Sequence, residues 1–282
     1  MTSDSSPDRS SDRSSDRSSD LGAPLDAARI GATLTTRWLG RTCESFATGA
    51  SPNDLAAERG RAGAAEGLLI VSDQQSRGRG RMGRDWFSPR GENLYLSLLL
   101  RPLRPPSEIP PLTLLAGAAL AEALAEFGVV PRLKWPNDVL IPVDGQPRKV
   151  AGILTEMVSE GNRVAHVVVG IGLNVNGRAF PAELANRATS LALGRGNPVD
   201  RVAVLCAVLS AFERAYDDFR ANGPRAVVPR WSAHAALGSR CRVAVDGREV
   251  SGVALGLDPD GALRVRDDDG RVVRVISGEI TS

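Results

Sequence analysis

Apolar runs separated by polar turns divide the chain into short strands and a few helices. Five runs have the length of strands, at residues 67–72, 93–100, 132–141, 149–158 and 165–175. A turn rich in Pro, Asp and Gly at residues 142–147 joins the third run to the fourth, as in a hairpin. The mixture of strands and helices predicts an α/β (α+β) domain built on a central sheet.

Helical spacing of apolar residues predicts four helices, one beginning near Leu25 and others over residues 51–60, 112–127 and 200–220. Ser51, Asn53 and Asp54 are residue types that cap the start of the second helix. The third carries Glu122 and Glu126, which predicts an amphipathic helix and not a membrane span.

The pattern changes at the C-terminal end. Residues 237–280 are short Val-rich runs separated by Asp-Gly turns, which predicts a small antiparallel barrel. We therefore divide the chain into a tail (1–24), a main domain (25–233) and a barrel (234–282). The tail repeats Asp-Arg-Ser-Ser, and a repeat without apolar side chains predicts disorder.

Composition excludes several classes of protein. Hydrophobic residues make up 42% and charged residues 24%, as in an ordinary globular protein, and the net charge of +2 argues against a protein that coats nucleic acid. Cys43, Cys206 and Cys241 are scattered and lack metal-ligand spacing, which predicts reduced thiols. The N-terminus shows no secretory signal, so we expect a cytoplasmic protein.

Only two of the 35 basic residues in this chain are lysines, Lys134 and Lys149, and the others are arginines. The arginine bias is most simply a genomic composition effect. A retained lysine is then a candidate for a position where a guanidinium cannot replace a compact ammonium, although chance retention is the alternative.

Residues 78–84 (GRGRMGR) combine three glycines with interleaved arginines. This composition is typical of a loop that closes around a carboxylate or a phosphate. The alternative is a flexible Arg/Gly contact with nucleic acid. The position between two strands, with Trp86 and Phe87 following, favours a ligand lid.

A second segment, residues 134–140 (KWPNDVL), places Lys134, Asn137 and Asp138 within five residues. Such a set suits nucleotide phosphates and Mg²⁺, and equally a plain Pro-Asn-Asp turn. A further segment, residues 169–176 (VGIGLNVN), has two glycines that permit close backbone approach, and Asn174 offers an amide for hydrogen bonding. The alternative is that the two glycines form a β-bulge. His166 and His234 are isolated, which predicts structural or surface roles.

Residues 149–156 (KVAGILTE) begin an apolar strand with Lys149, and Gly152 leaves room for a ligand. An ammonium there can neutralise a carboxylate and an α-phosphate together, which the activation of an acid with ATP requires. A solvent-facing lysine at a strand end is the alternative.

Taken in series, the segments at 78–83, 134–138, 149–154 and 170–174 resemble the motifs of the biotin–protein ligase (biotin–[acetyl-CoA-carboxylase] ligase) family. The resemblance covers roughly residues 40–280. It implies a class II synthetase/biotin–lipoate ligase-like domain with a mixed central sheet, followed by an SH3-like barrel. It also implies an ATP-dependent ligase that converts biotin and MgATP into biotinyl-5′-AMP, then transfers biotin to a lysine of a biotin carboxyl carrier protein domain of an acyl-CoA carboxylase.

The resemblance further implies roles for individual residues. The biotin-binding positions are Ser51, Asn53, Gln75, Arg79, Gly80, Arg81, Lys149 and Gly152. The ATP-binding positions are Trp86, Lys134, Asn137, Asp138, Lys149 and Asn174, with Asp138 as a Mg²⁺ ligand. Lys149 and Arg81 are the predicted catalytic residues. The Ser-Thr-Asn of the family reads Ser51-Pro52-Asn53 here, which removes a hydroxyl and a backbone donor.

Family members that act as repressors carry an N-terminal winged helix-turn-helix domain. Because so few ordered residues are expected before the catalytic region here, we expect a monofunctional enzyme that binds neither DNA nor membranes. The sequence leaves open whether the protein forms a homodimer. The alternatives are a lipoate/octanoate–protein ligase of the same superfamily, a ligase relative that binds biotin without activating it, and a non-enzymatic nucleic-acid-binding protein.

Overall fold

The computed structural model describes residues 22–245 and 248–280, so most of the Asp-Arg-Ser-Ser tail and the turn at 246–247 lie outside the described residues. The helices are α1 (Ala27–Thr33), α2 (Pro52–Arg61), α3 (Leu112–Ala125), α4 (Leu191–Arg195), α5 (Arg201–Asn222) and α6 (Val227–Ser232). The strands of the main domain are β1 (Cys43–Phe46), β2 (Leu69–Ser72), β3 (Leu94–Leu100), β4 (Arg132–Lys134), β5 (Asp138–Val143), β6 (Gln146–Glu160) and β7 (Arg163–Leu173). The C-terminal strands are β8 (Arg240–Val245), β9 (Arg248–Leu257), β10 (Leu263–Asp267), β11 (Val272–Val275) and β12 (Glu279–Ile280).

The main domain is built on a seven-stranded sheet in the order β1-β2-β3-β7-β6-β5-β4. β1 and β2 run parallel, whereas the other neighbouring strands run antiparallel, so the predicted mixed sheet is confirmed. The C-terminal strands form a separate antiparallel sheet of five strands, ordered β11-β10-β9-β8-β12, as expected of an SH3-like barrel.

The prediction of one strand over residues 132–141 is wrong. The chain reverses at residues 135–137, and β4 and β5 pair as a hairpin in which Lys134 lies opposite Asp138. Pro136 has no backbone N–H to donate to a strand ladder, which explains why the apolar run does not continue as one strand. The turn predicted at 142–147 is confirmed, with β5 ending at Val143 and β6 beginning at Gln146.

Alternation along the central strands separates a core face from a second face. In β7, Val169 and Ile171 belong to the main core, while Gly170 and Gly172 lie on the other face. The register continues this division across three strands, because Ser97, Gly170 and Leu154 are aligned neighbours. Where glycines stand, the second face has no side chains of its own, so residues from other elements can lie directly on the backbone.

Helix α3 packs between the sheet and α5, with α6 beside it. The prediction that this helix is amphipathic is wrong, since nearly all its residues are buried and Glu122 pairs with Arg230 at 2.7 Å. Among the described residues, Pro106–Ala125 is the one helical segment long and apolar enough to cross a bilayer, and 72% of its apolar 18-residue window is buried inside the protein. Its apolarity is explained by contacts on several sides.

The C-terminal barrel packs against the end of the main sheet. The indole Nε1 of buried Trp135 donates to the carbonyl of Gly261 at 3.1 Å, and Leu133 N donates to His234 O at 2.9 Å. Through these contacts the last strand, β12, comes close to the second face of the sheet, where Glu279 lines the cavity described below. The domain limits assigned from the sequence stay predictions.

Candidate active site

A cavity of about 900 Å³ opens on the second face of the central sheet, beside α2. Every residue assigned above to biotin or ATP lines it: Ser51, Asn53, Gln75, Arg79, Gly80, Arg81, Trp86, Lys134, Asn137, Asp138, Lys149, Gly152 and Asn174. These residues come from α2, from loops and from three strands. The fold therefore brings five separate sequence segments to one site, at residues 51–53, 75–86, 134–138, 149–152 and 174.

Asn53 lies above Gly170 at one end of the cavity. A Cβ at Gly170 would lie 1.9 Å from Asn53 Oδ1, so glycine is required for this close approach. The amide oxygen accepts from Ser97 Oγ at 2.6 Å, and Nδ2 donates to Leu154 O at 3.2 Å and to Glu156 Oε2 at 2.6 Å. The buried amide is thereby held in one orientation.

Trp86 lies over the other glycines of the second face. A Cβ at Gly172 would lie 2.5 Å from its Cε2 atom, and one at Gly152 would lie 2.9 Å from its Cζ3 atom. The ring therefore covers the sheet at these two glycines, which are directly paired between β6 and β7. The indole Nε1 is buried and has no hydrogen-bond partner among the described residues.

Lys149 lines the same cavity and lies close to Trp86. Its Nζ lies 2.6 Å from Asp138 Oδ1 and 5.3 Å from the centroid of the Trp86 ring. An ion pair and a cation–π contact together hold the ammonium in place. Its backbone is held as well, because Lys149 N donates to Arg187 O at 2.8 Å and Thr189 N donates to Lys149 O at 2.9 Å.

We call residues 77–84 the arginine loop. It folds back on itself as a tight antiparallel turn at the cavity. Gly80 N donates to Arg84 O at 2.7 Å, and Trp86 N donates to Gly78 O at 3.1 Å. A Cβ at Gly78 would lie 2.3 Å from the Trp86 carbonyl oxygen, which explains the need for glycine there. Met82 at the tip is 82% exposed.

The arginines of this loop have different partners. Arg79 contacts two carboxylates, with Nη2 at 2.7 Å from Asp54 Oδ1 and 3.1 Å from Glu156 Oε2. Arg81 donates instead to two neutral groups, Asn137 Oδ1 at 3.2 Å and Gly278 O at 3.4 Å. Burial lowers the pKa of the Arg81 guanidinium below its usual value. A desolvated cation that meets only neutral partners among the described residues is suited to an anionic ligand.

Arg84 connects the loop to the C-terminal barrel, because its Nη1 lies 2.9 Å from Glu279 Oε1. Burial alone would raise the pKa of Glu279, but the Arg84 hydrogen bond and the charges of Arg84, Lys134 and Lys149 outweigh it and lower the pKa. The barrel therefore contributes a charged group to the wall of the cavity.

The side chains of Ser51 and Gln75, both assigned to biotin by the resemblance, have different surroundings in the structure. Ser51 is buried at the N-cap position of α2, yet its side chain makes no capping hydrogen bond, so the capping expected of it is wrong. Pro52 occupies the first helical position, where its missing N–H leaves no bond unmade. Gln75 Nε2 donates to Ser88 Oγ at 2.8 Å.

Asn137 and Asn174 support the cavity wall by hydrogen bonds to the backbone. Asn137 Nδ2 donates to Ile153 O at 2.9 Å, and Asn174 Nδ2 donates to Thr189 O at 3.0 Å. The Asn174 backbone also accepts from Leu191 N at 3.0 Å. These two amides therefore join the strands of the site to the neighbouring loops, whatever ligand the cavity takes.

The chain matches known families along most of its length. The model described as "Biotin/lipoate A/B protein ligase family" matches residues 47–174, and the one described as "Biotin protein ligase C terminal domain" matches residues 236–281. A biotin–[acetyl-CoA-carboxylase] ligase of Mycobacterium tuberculosis is 33% identical over 240 residues, which cover 83% of this chain and 85% of that protein. The chain belongs to the biotin protein ligase family.

Solved structures and longer relatives agree with this membership. A structure of biotin protein ligase from Aquifex aeolicus, in complex with biotin and ATP, superposes with a TM-score of 0.72 at 30% identity, covering 86% of this chain and 98% of that one. The bifunctional ligase/repressor BirA of Bacillus subtilis is 39% identical over 221 residues, 77% of this chain. The chain matches 66% of that relative's length.

Several residues of the cavity were not assigned from the sequence. They include Ser97, Leu154, Phe180 and Glu279. Glu156, also not assigned, contacts the site residues Asn53 and Arg79. Ser97 had a visible signal, since it is the one polar side chain in the apolar run of β3 apart from the Tyr95 hydroxyl. Phe180 had none, because its ring meets that of Phe87, 6.3 Å between centroids, across a long sequence separation.

Proposed function

We propose that this protein is an ATP-dependent biotin–protein ligase. In the first step an oxygen of the biotin carboxylate attacks the α-phosphorus of ATP, and the bond to pyrophosphate breaks, giving biotinyl-5′-AMP. In the second step the ε-amine of an acceptor lysine attacks the acyl carbon. The bond to AMP breaks, the nitrogen loses a proton, and an amide remains.

The placement of Lys149 carries this proposal. Its ammonium lies beside Asp138 and the Trp86 ring, in the cavity that Asn53 also lines. Biotin is proposed at the Asn53 end and the nucleotide at the Trp86 end. A cation at the point where two anionic substrates meet reduces their repulsion and stabilises the charge that develops on the α-phosphate.

The arginine loop supplies the second contribution. Arg81 presents a partly desolvated cation that contacts no carboxylate among the described residues, and Gly80 lines the same wall. We propose that this loop covers the bound adenylate and excludes water from the reactive anhydride. Arg79 and Arg84 hold the loop in place through ion pairs with Asp54 and Glu279.

Mg²⁺ is proposed to enter with ATP. Among residues 22–245 and 248–280, no group of three His, Cys, Asp or Glu side chains is placed to hold a metal ion. The Asp138 carboxylate fits an ion held mainly by phosphate oxygens and water, since Mg²⁺ is commonly bound through one or two carboxylates together with substrate phosphates. When bound, the ion would neutralise phosphate charge.

The acceptor is proposed to be a biotin carboxyl carrier protein domain of an acyl-CoA carboxylase, which supplies the attacking lysine. We propose no DNA-binding role for the described residues, and the near balance of 35 basic against 33 acidic residues supports this. Three unpaired cysteines support a reducing, cytoplasmic location. An operator gel shift that responds to biotin would contradict the absence of DNA binding.

Mass spectrometry of the purified protein tests the activity directly. The protein is incubated with MgATP and biotin without acceptor, and lipoate and octanoate are tested in parallel. We expect biotinyl-5′-AMP and no adenylate of the other acids. An adenylate formed only with lipoate or octanoate would identify a ligase for those acids. The absence of any adenylate would leave a binding protein.

A further inference from the structure

Glu156 stands on β6 at the edge of the cavity, on the same face of the sheet as Gly152 and Leu154. Its side chain is 37% exposed, so water reaches it from outside while its oxygens face the site residues. Two of those residues, Asn53 and Arg79, bond to this one carboxylate.

The first contact decides how Asn53 is oriented. Leu154 O and the Glu156 carboxylate can only accept, and both contact Nδ2, so the two N–H groups of the amide point toward the sheet. Its oxygen, which already accepts from Ser97 Oγ, keeps one further acceptor position. Held this way, Asn53 offers a ligand an acceptor and no donor, which suits a ureido N–H of biotin.

The second contact holds the arginine loop. Arg79 Nη2 lies 3.2 Å from Glu156 Oε1 and 3.1 Å from Oε2, so both carboxylate oxygens take part. Asp54 on α2 contacts the same guanidinium at 2.7 Å. Glu156 therefore joins three separate parts of the chain, namely β6, the start of α2 and the loop above the cavity.

A second arginine of the loop that lines the cavity has different partners. Arg81 contacts only Asn137 and the Gly278 carbonyl among the described residues, with no carboxylate. Two carboxylates thus balance the charge of Arg79, whereas the guanidinium of Arg81 contacts no carboxylate among the described residues and is available to an anionic ligand. Such a division requires a carboxylate at Arg79, and Glu156 and Asp54 supply it.

We propose that Glu156 is a positioning residue of the ligase reaction. It orients the Asn53 amide to accept from the ureido group of biotin, and it holds the arginine loop in place through Arg79. The first of these two roles rests on the proposed function, whereas the second concerns the protein without ligand.

Three variants test the proposal. Glu156→Ala removes both contacts, and Glu156→Gln keeps an acceptor for Asn53 while removing the charge that holds Arg79. Glu160→Gln is the matched control, since Glu160 is an exposed carboxylate at the end of the same strand. Limited trypsin digestion without ligand, with cleavage sites mapped to residues 77–84, measures the hold on the loop. Steady-state kinetics measures the KM for biotin, the KM for ATP and kcat.

We expect loop cleavage to be about threefold faster in both Glu156 variants, the size of effect that a partly exposed ion pair allows. The KM for biotin should rise about tenfold in Glu156→Ala. In Glu156→Gln it should rise by about threefold or less, because Asn53 Nδ2 can still donate to the side-chain oxygen of the substituted residue. Neither kcat nor the KM for ATP should change more than about twofold, and Glu160→Gln should match the wild type.

Two results would overturn the proposal. If Glu156→Ala matches Glu160→Gln in loop cleavage, Glu156 does not hold the loop. If Glu156→Ala and Glu160→Gln have the same KM for biotin, Glu156 does not orient Asn53. If the wild type forms no biotinyl-5′-AMP, the proposed function fails, and faster loop cleavage in the Glu156 variants would still support the contact with Arg79.

Discussion

The ammonium of Lys149 lies 2.6 Å from a carboxylate oxygen of Asp138, and the two side chains are 31% and 16% exposed. The two residues belong to adjacent strands, where Lys149 on β6 is paired with Leu140 on β5 and Asp138 with Gly152. One carboxylate thus holds this partly buried ammonium in place at the cavity wall. Substrate anions therefore meet a positioned charge instead of a mobile surface lysine.

Replacing Lys149 by alanine should abolish adenylate formation while the fold is kept. Loss of a charge that stabilises the transition state costs about 10²–10³ in rate. Mass spectrometry of biotinyl-5′-AMP checks the activity, and circular dichroism melting checks the fold. Because the substitution also leaves Asp138 unpaired, the double variant Lys149→Ala/Asp138→Asn serves as the control. Near-normal adenylate formation in either variant would remove the central role from Lys149.

Gly170→Ala should weaken biotin binding specifically. The added methyl would lie 1.9 Å from Asn53 Oδ1, so the amide must leave its hydrogen bonds with Ser97 and Leu154. Overpacking of this kind costs about 1–3 kcal/mol, and we expect the KM for biotin to rise about tenfold or more.

Gly31→Ala is the control for that substitution, since its Cβ would meet nothing within 4 Å and the residue lies in α1. This variant should leave the KM unchanged and stabilise the protein by up to about 1 kcal/mol. An unchanged KM for biotin in Gly170→Ala would place biotin away from Asn53.

Gly172→Ala should instead weaken ATP binding. Its methyl would lie 2.5 Å from Cε2 of Trp86, so the indole ring must shift away from the sheet. With Trp86 on the nucleotide side, we expect the KM for ATP to rise about tenfold and the KM for biotin to stay within about twofold. The two alanine variants, two positions apart on one strand, thus separate the substrates. A rise in the biotin KM alone would reverse the assignment of the two ends.

Glu279→Gln should destabilise the protein in a pH-dependent way. The pKa of Glu279 is lowered in the folded protein, so its stabilising contribution is present above the unfolded pKa of about 4.3 and is lost as the pH falls through the folded pKa. We expect a loss of about 0.5–1 kcal/mol at about pH 7 and little difference from wild type near about pH 3, where the carboxyl is protonated. Urea unfolding at both pH values measures it.

Asp260→Asn is the matched control for Glu279→Gln. Its hydrogen bond with Arg274 lowers the pKa of Asp260, despite burial that opposes the shift, and both residues lie in the barrel away from the cavity. The stability change should follow the same pH trend. Only Glu279→Gln should release biotinyl-5′-AMP faster, by about threefold, because only Glu279 holds Arg84 of the arginine loop. Equal release in the two variants would contradict that role.

Much of the site could be predicted because its signals are local in sequence. The strand alternation of β7 places Gly170 and Gly172 on one face whatever the rest of the chain does. The rare Lys149 begins an apolar strand, and its motif is contiguous. The reversal at residues 135–137 was missed because Leu133 and Val139 are apolar on both sides of the turn, as in one strand.

The amphipathic assignment of α3 failed for a different reason. Two glutamates suggested a solvent face, yet Glu122 is paired with Arg230 on α6, and α5 covers another side of the helix. How many sides of a helix are covered depends on elements that arrive from elsewhere in the chain. No periodicity within the helix itself contains that information.

The sequence by itself determined the apolar pattern of each strand, the glycines that permit close approach to the second face, and the family to which the motifs belong. Only the tertiary structure decided which charges meet. Arg84 and Glu279 are 195 residues apart, and Arg79 and Glu156 are 77 residues apart. Alternation is a property of neighbouring residues on one strand, whereas an ion pair between distant segments depends on strand register and domain packing, which arise only when the whole chain folds.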